Sequence, residues 1–328
     1  MRRRDWLRRG AALAAAATVA PWLGGCGAEP PLTVAWHPWP GYAPLKLAES
    51  LGWWDDGVLH GLPTGSASAS RAALREGRAH AAALTLDEVL QAVVVDRLPL
   101  RVAALFNLSH GADVVLARPT HAERSRWRGA RLGHEQGAVG ELMAASWLEY
   151  AGLQPGDVTM VHLGFEEHER AWREGAVDLL ITFEPVTSRL RALGAVRLFD
   201  SSQLPEERPI VDVLAVHREA AAGRQRALTT VLQHLFEAQR HLMTLREDSI
   251  YRLAPWLDLP RHQVIPAFGG LHLTGWSDNR DWLIGAPARL QRAAEGLAQF
   301  MRQRGLLPEG RLPADLAAPD WLPVEEPA

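Results

Sequence analysis

The chain has 328 residues, 47% of them hydrophobic and 22% charged, with a formal net charge of −3 and a single cysteine, Cys26. One cysteine excludes an intramolecular disulfide framework, and an acidic balance is poor material for a nucleic-acid surface. The length allows one large or two medium lobes with real cores.

Residues 1–9, MRRRDWLRR, carry five Arg and one Asp. GAALAAAATVAPWL follows, uncharged and mostly apolar. It is shorter than the roughly 20 residues a membrane-spanning helix needs. A charged start, a short apolar run and small residues in that order form a secretory signal. LGGC (23–26) at its end resembles the bacterial lipobox, in which the cysteine is lipidated and becomes the first mature residue. RRDWLR (3–8) resembles the twin-arginine motif, a Sec signal with extra arginines being the alternative. Residues 1–25 therefore read as a signal peptide, Cys26 as the lipidation site, and 26–31 as a tether kept out of helix by Gly and Pro. Acyl chains on Cys26 would hold a periplasmic domain at a membrane surface. The signal carries a net +4, so the mature charge falls from −3 to −7.

Beyond the tether, strands and helices alternate. LTVAWH (32–37) reads as a strand, and YAPLKLAESLGWW (42–54) as a helix from the spacing of Leu45, Leu47, Ala48 and Leu51. A weak strand, GVLHGLP (57–63), precedes SASRAALREG (68–77), a helix stopped by glycine. HAAALT (80–85) is a buried strand, LDEVLQAVVVD (86–96) a helix, LRVAALFN (100–107) a strand, and ADVVLARP (112–119) a strand ended by proline. GARLGHE (129–135) is a strand and AVGELMAASWLEYAG (138–152) a helix. VTMVHL (158–163), EEHERAWREG (166–175) and AVDLLITF (176–183) continue strand, helix, strand. VDVLAVH (211–217) is a strand, and the remainder is mostly helical from about Glu219 to Leu306, with a Gly- and Trp-containing interruption near 268–282.

This alternation predicts parallel sheet with helical crossovers. ALREGRAHAAALTLDE (73–88) and AWREGAVDLLITFEPV (171–186) echo one another, each running helix, Arg-Glu-Gly, strand, then a polar or acidic turn. One sheet unit used once in each of two lobes explains the echo; a chance match of two units is the alternative.

HPWPGYAPLKLAESLGWW (37–54) resembles the periplasmic substrate-binding proteins of the nitrate, sulfonate and taurine type, whose domain is shared with thiamin-pyrimidine precursor binding proteins. The resemblance continues through ALREGRAHAAALTLDEVL, HGADVVLARP, RLGHEQGAVGELMAASWLEYAGL, GAVDLLITFEP and LFDSSQLPEERPIVDVLAVHRE, in order over roughly residues 32–220. It implies an α/β, two-lobed periplasmic binding protein fold (type II), each lobe a mixed sheet flanked by helices, with two crossing hinge strands. Lobe I would hold 32–115 and 214–328, lobe II 119–210, with hinges near 112–119 and 208–216. It implies a monomeric solute-binding lipoprotein of an ABC importer, with a small-molecule ligand and permease subunits as partners. A ligand-dependent sensor without a permease is the first alternative, a thiamin-pyrimidine-synthase-like enzyme the second.

Ligands of open α/β sheets bind beyond the C-terminal ends of the strands, which selects the candidate loops. The turn after the first strand offers Trp39, Gly41 and Tyr42: two prolines stiffen it, and the aromatics either wall a ligand or cap the core. Ser66 and Ser68 open one helix, as ligand hydroxyls or as ordinary caps. Gln136, Gly137 and Ala138 open its counterpart in the second lobe. Thr85 ends a strand, Ser109 and His110 precede the first crossing, Phe183 and Glu184 end the strand of the second echo, and Asp212 lies near the second crossing. Glu184, Asp113, Glu135 and Asp212 can share one cleft, and no arginine falls in these loops. A divalent anion would be repelled there. An amine, an aminopyrimidine-like ring or a zwitterion suits acid plus aromatic walls. The sulfonate- or nitrate-like alternative remains open through the two helix N-termini.

No enzyme, cofactor or metal is expected. HEQGAV (134–139) lacks the second His of a zinc-protease motif, and no Gly-x-Ser-x-Gly elbow or P-loop is present. His234, Glu237 and His241 share a helical face without a third anchored ligand. The enzymatic relatives need a Schiff-base lysine and a cysteine-rich motif. The one lysine here, Lys46, falls in the first helix, and no second cysteine exists.

Overall fold

The computed structural model describes residues 29–54 and 57–327. The signal peptide and Cys26 lie outside the described residues. Eleven strands are found among those described: β1 (Leu32–Trp36), β2 (Leu59–Pro63), β3 (Ala81–Thr85), β4 (Leu100–Ser109), β5 (Val114–Ala117), β6 (Arg131–His134), β7 (Thr159–His162), β8 (Leu179–Thr182), β9 (Val196–Asp200), β10 (Ile210–His217) and β11 (Leu271–Leu273). The main helices are α1 (Ala43–Ser50), α2 (Ala67–Arg75), α3 (Leu86–Val94), α4 (Val139–Ala151), α5 (His168–Arg173), α6 (Val186–Ala192), α7 (Arg218–Ala221), α8 (Gln225–Thr244), α9 (Arg246–Leu257), α10 (Arg261–Val264), α11 (Trp276–Leu283) and α12 (Arg289–Gln303). None is long and apolar enough to cross a membrane.

The strands form two sheets, a six-stranded one in the order β11-β4-β10-β3-β1-β2 and a five-stranded one in the order β7-β6-β8-β5-β9. The protein is thus two-lobed. β2, β1 and β3 run parallel, as do β7, β6 and β8. Fully parallel sheets are not what forms, because β10 pairs antiparallel with β3 and β4, and β5 pairs antiparallel with β8 and β9. Each is the strand on which the chain enters or leaves its lobe, and it returns against the direction of the βα units. β3 and β8 hold the same place in their sheets, each between a parallel neighbour and the antiparallel strand. The echoing units α2–β3 and α5–β8 therefore occupy equivalent positions.

The segments expected to cross, 112–119 and 208–216, each begin in a link between the sheets and run on into a strand of one sheet, β5 or β10. β5 is paired on both sides in the second sheet, and β10 on both sides in the first. The links between sheets are the stretches 110–113 and 201–209. Ser109 and Ser201 tie them together by a 2.7 Å hydroxyl pair, and Gly111 N donates to Ser201 Oγ at 2.7 Å.

Local sequence sets the elements. β3, AAALT, is buried throughout, so it reads as an apolar run, not as an alternating strand. α4 stops at Gly152, whose φ of +65° suits a residue without Cβ. α8 buries Leu228, Val231, Leu232, Leu235 and Leu242 on one stripe, and α12 buries Leu290, Ala294, Leu297 and Met301. α8 packs on α1, and α12 on α3, closing the two faces of the first sheet. One core continues from Trp36, Tyr42 and Phe106 into the second lobe through Phe165, Trp172 and Phe183.

Candidate functional site

The C-terminal ends of the parallel strands of both sheets converge on one point between the lobes. Pro40 and Gly41 form a tight turn after β1 that carries Tyr42 to the start of α1. A Cβ at Gly41 would collide with Asn107 Nδ2 and Trp39 Nε1, so only glycine lets this turn press against β4. Asp212 on β10 fixes both aromatics: it accepts from Tyr42 Oη at 2.5 Å and from Trp39 Nε1 at 3.2 Å. The Trp39 ring meets Phe183 of the second lobe edge-on at 4.8 Å, and Phe183 stacks on Phe165 at 4.3 Å. His37 lies 5.3 Å from Tyr42 and 6.0 Å from Phe183, ring centre to ring centre.

These groups enclose a cavity of about 20 Å³. The first lobe supplies His37, Trp39, Tyr42, Ala67, Thr85, Glu88 and Asp212; the second lobe and its link supply Asp113, Glu135, Val139 and Phe183. In this closed arrangement there is room for about one water-sized group. Larger grooves lie elsewhere. One of 480 Å³ runs over α8 and β11 beside Met243 and Trp276, and one of 720 Å³ runs beside the 201–209 link. Neither lies where the strand ends of both sheets meet, and neither carries a comparable buried charge cluster.

Four of the eleven lining residues are carboxylic acids, and none is Lys or Arg. Burial pushes Asp212 up to about 7 against the opposing hydrogen bonds from Tyr42 and Trp39, and Asp113 up to about 6. Burial likewise raises Glu88 well above its ordinary range, with the Asp87 charge adding to it, and raises Glu135 against its bonds from Ser68. The same desolvation drives His37 down to about 3, so its imidazole is neutral. Tyr42 is held protonated by burial and by the Asp212 charge.

Two carboxylates also reach across the cleft to the opposite lobe's helix. Glu135 Oε1 accepts from Ser68 N at 2.9 Å and Ser68 Oγ at 2.5 Å, at the start of α2. Glu88 Oε1 accepts from Val139 N at 3.2 Å, at the start of α4, while its Oε2 accepts from Thr85 N at 2.9 Å. Each helix N-terminus therefore meets an acid of the other lobe, where its free N–H groups and dipole favour negative charge. Arg71 adds a bond to Gly137 O at 3.3 Å, and Arg189 pairs with Asp258 at 2.7 Å on the rim.

The candidates sort as follows. Trp39, Tyr42, Thr85, Phe183 and Asp212 line the cavity. Ser68 closes the cleft through Glu135, and Gly41 shapes the turn behind it. Ser66 is a helix cap, its hydroxyl accepting from Ala69 N at 3.3 Å. Ala138 is the buried cap of α4, Gly137 offers its carbonyl to Arg71, and Gln136 is exposed. Ser109 is taken up by the link, and His110 is exposed beside the 720 Å³ groove, with its N–H on Gly270 O at 2.7 Å. Glu184 turns away from the cavity and caps α6, accepting from Ser188 N at 3.1 Å and Ser188 Oγ at 2.8 Å. A residue two places past a strand end can serve its own helix instead of the cleft, and here Ser188 sits one turn ahead to receive it. His37 and Glu88 escaped the sequence reading. Thr85-Leu86-Asp87-Glu88, a capping-box pattern at a strand end, was the available signal for Glu88.

Lys46 pairs with Glu49 at 2.5 Å on α1 and does not line the cavity. His234 bonds Glu237 at 2.7 Å and His241 bonds Asp248 at 2.8 Å. Among the described residues no group of three or more His, Cys, Asp or Glu has the arrangement to hold a metal ion.

A family model described as the NMT1-like family matches residues 27–257, more than half of the chain. The chain belongs to the NMT1-like family. Solved structures share the fold of this NMT1-like protein. The alkanesulfonate-binding protein SsuA from Xanthomonas axonopodis pv. citri, bound to MOPS, is 19% identical, with 89% of this chain and 98% of that one covered at a TM-score of 0.73. The periplasmic nitrate-binding protein NrtA from Synechocystis PCC 6803 is 14% identical, with 85% and 82% covered at 0.68. The desulfurization enzyme DSZB is 17% identical, with 89% and 97% covered at 0.64. Among curated proteins, none matches the chain in sequence. The NMT1-like fold thus carries both binding proteins and an enzyme among its structural neighbours.

Proposed function

We propose that this NMT1-like protein is the extracytoplasmic solute-binding component of an ABC importer, anchored to a membrane through Cys26 and binding a small polar organic molecule between its lobes. The observation that carries this reading is the buried cavity built jointly by both sheets, with Trp39, Tyr42 and Asp212 from one lobe facing Phe183 and Glu135 from the other. Lobe closure about the links 110–113 and 201–209 removes the solute from water and joins the two lobe surfaces that a permease would read. The sulfonate- and nitrate-binding neighbours support the transport role. Native mass spectrometry of freshly purified protein tests the reading by seeking a retained solute, alongside co-purification of permease subunits. A retained solute with permease supports it. A retained solute without permease moves the function to sensing. Turnover of an added compound would replace it with an enzyme.

A further inference from the structure

Structural neighbours of this chain are named for sulfonate and nitrate, both anions, but the cleft of this chain has the opposite chemistry. Glu88, Asp113, Glu135 and Asp212 face one cavity whose lining holds no Lys or Arg. The charges that act on Glu88, Glu135 and Asp212 are those of other acids: Asp87 first for Glu88, Glu166 for Glu135 and Asp113 for Asp212. The nearest ring that could carry positive charge, His37, is neutral. The two helix starts that would seat an anion are already met by Glu135 and Glu88, each reaching from the opposite lobe. An incoming anion would have to displace one acid from its helix start and then sit among the rest, in a buried site whose lining holds no Lys or Arg.

A second observation is independent of the acids. His37 Nδ1 is buried in the cavity wall without a hydrogen-bond partner. The residue is only 3% exposed. Buried polar atoms are seldom left unpaired unless a ligand or water completes them. A neutral imidazole nitrogen can accept from an N–H group. Trp39, Tyr42 and Phe183 add aromatic surface, and the faces of such rings attract cations.

We infer that the solute is a small organic cation with N–H donors, such as a protonated amine or an amidinium, whose charged head is held by Asp113, Glu135 and Asp212 against Trp39 and Phe183, with His37 completing its hydrogen bonds. This rests on the solute-binding reading and narrows it. The 20 Å³ cavity fits no more than the head. A solute with a longer body holds the lobes further apart than they stand here. The cation also explains how the acids tolerate burial together: it supplies the charge that the wall lacks.

The test is calorimetric titration of the full-length chain with matched compounds on one carbon skeleton: ethylammonium against ethanesulfonate, benzylammonium against benzylsulfonate, with benzamidinium, nitrate and taurine added. The proposal expects heat from at least one of the cations and none from the sulfonates or nitrate. Asp113→Asn and Glu135→Gln, each nearly isosteric, should weaken that cation tenfold or more. If a sulfonate or nitrate binds while every cation is silent, or if both variants leave the cation's affinity unchanged, the cation assignment falls and the solute-binding reading stands. If nothing in the panel binds, the accurate mass of the solute released from native protein decides its charge, and an anionic or neutral solute overturns the proposal. If no solute is retained either, the solute-binding reading falls with it.

Discussion

Replacing Asp212 with Asn separates the cost of the buried acid from its use. Burial lifts this carboxyl from 3.8 to about 7 despite two donated hydrogen bonds, so the folded protein binds a proton there more tightly than the unfolded chain does. The folded state carries the extra proton between those two values, and stability therefore falls as pH rises through that window. At about 1.4 kcal/mol per pH unit, the wild type loses about 2.5 kcal/mol relative to a neutral side chain between pH 5 and pH 8. Asn has no such titration. It keeps an acceptor for the Tyr42 hydroxyl, but its amide meets the Trp39 N–H with a second donor, a fixed loss of about 1–3 kcal/mol at every pH. The fixed loss cancels in the comparison between the two pH values. Asp212→Asn should therefore be less stable than or equal to wild type near pH 5 and gain on it by about 2.5 kcal/mol near pH 8. That gain amounts to a relative rise in melting temperature of roughly 5 °C. Scanning calorimetry of ligand-free protein at both values reads this directly. An Asp-to-Asn difference that is the same at both pH values would refute the reasoning, because the carboxylate would then be ionised at no cost.

Glu184→Ala should lower stability by about 1 kcal/mol, the worth of a helix-terminus acceptor, while leaving the affinity for the retained solute unchanged; urea denaturation and calorimetry check the two halves. Leu297→Ala on α12 removes a fully buried side chain and should cost about 2–5 kcal/mol in the same urea assay. Phe183→Ala should weaken solute binding roughly tenfold, since it removes the aromatic that meets Trp39 across the cleft; titration against wild type measures it. Cys26→Ala should shift the protein from the membrane fraction to the soluble periplasm, and retention at the membrane would exclude the lipid anchor.

The long, strongly patterned elements were legible in the chain. Buried runs such as AAALT and LLIT announce strands without reference to anything distant, and the apolar stripes of α8 and α12 announce helices. β9 and β11 were not read as strands. VRLFD is an edge strand with two exposed residues at its start, and LHL is a three-residue edge whose partner strand β4 lies far back in the chain, Leu271 facing Ser109. The helix α6 was missed because VTSRLRA is short and half polar, and its stop depends on packing. The antiparallel sense of β5 and β10 could not be read from βα alternation, since it follows from where the chain changes lobes. At the site, Asp212 was selected by its place near the expected second crossing, and the Trp39-to-Tyr42 turn, Thr85 and Phe183 by the strand-end rule. Glu184 was carried in by the same rule, which cannot tell a residue facing the cleft from one turned back on its own helix. His37 was passed over because it sits between a core tryptophan and a proline, and nothing local shows that its ring nitrogen is left without a partner.

The central claim is that a solute is held between the lobes, and a crystal structure of the protein with its retained solute tests this most directly. The account predicts the solute touching Trp39 and Asp212 from one lobe and Phe183 and Glu135 from the other. Solute found instead in the 480 Å³ groove beside Met243 and Trp276, with the inter-lobe cavity closed, would contradict it.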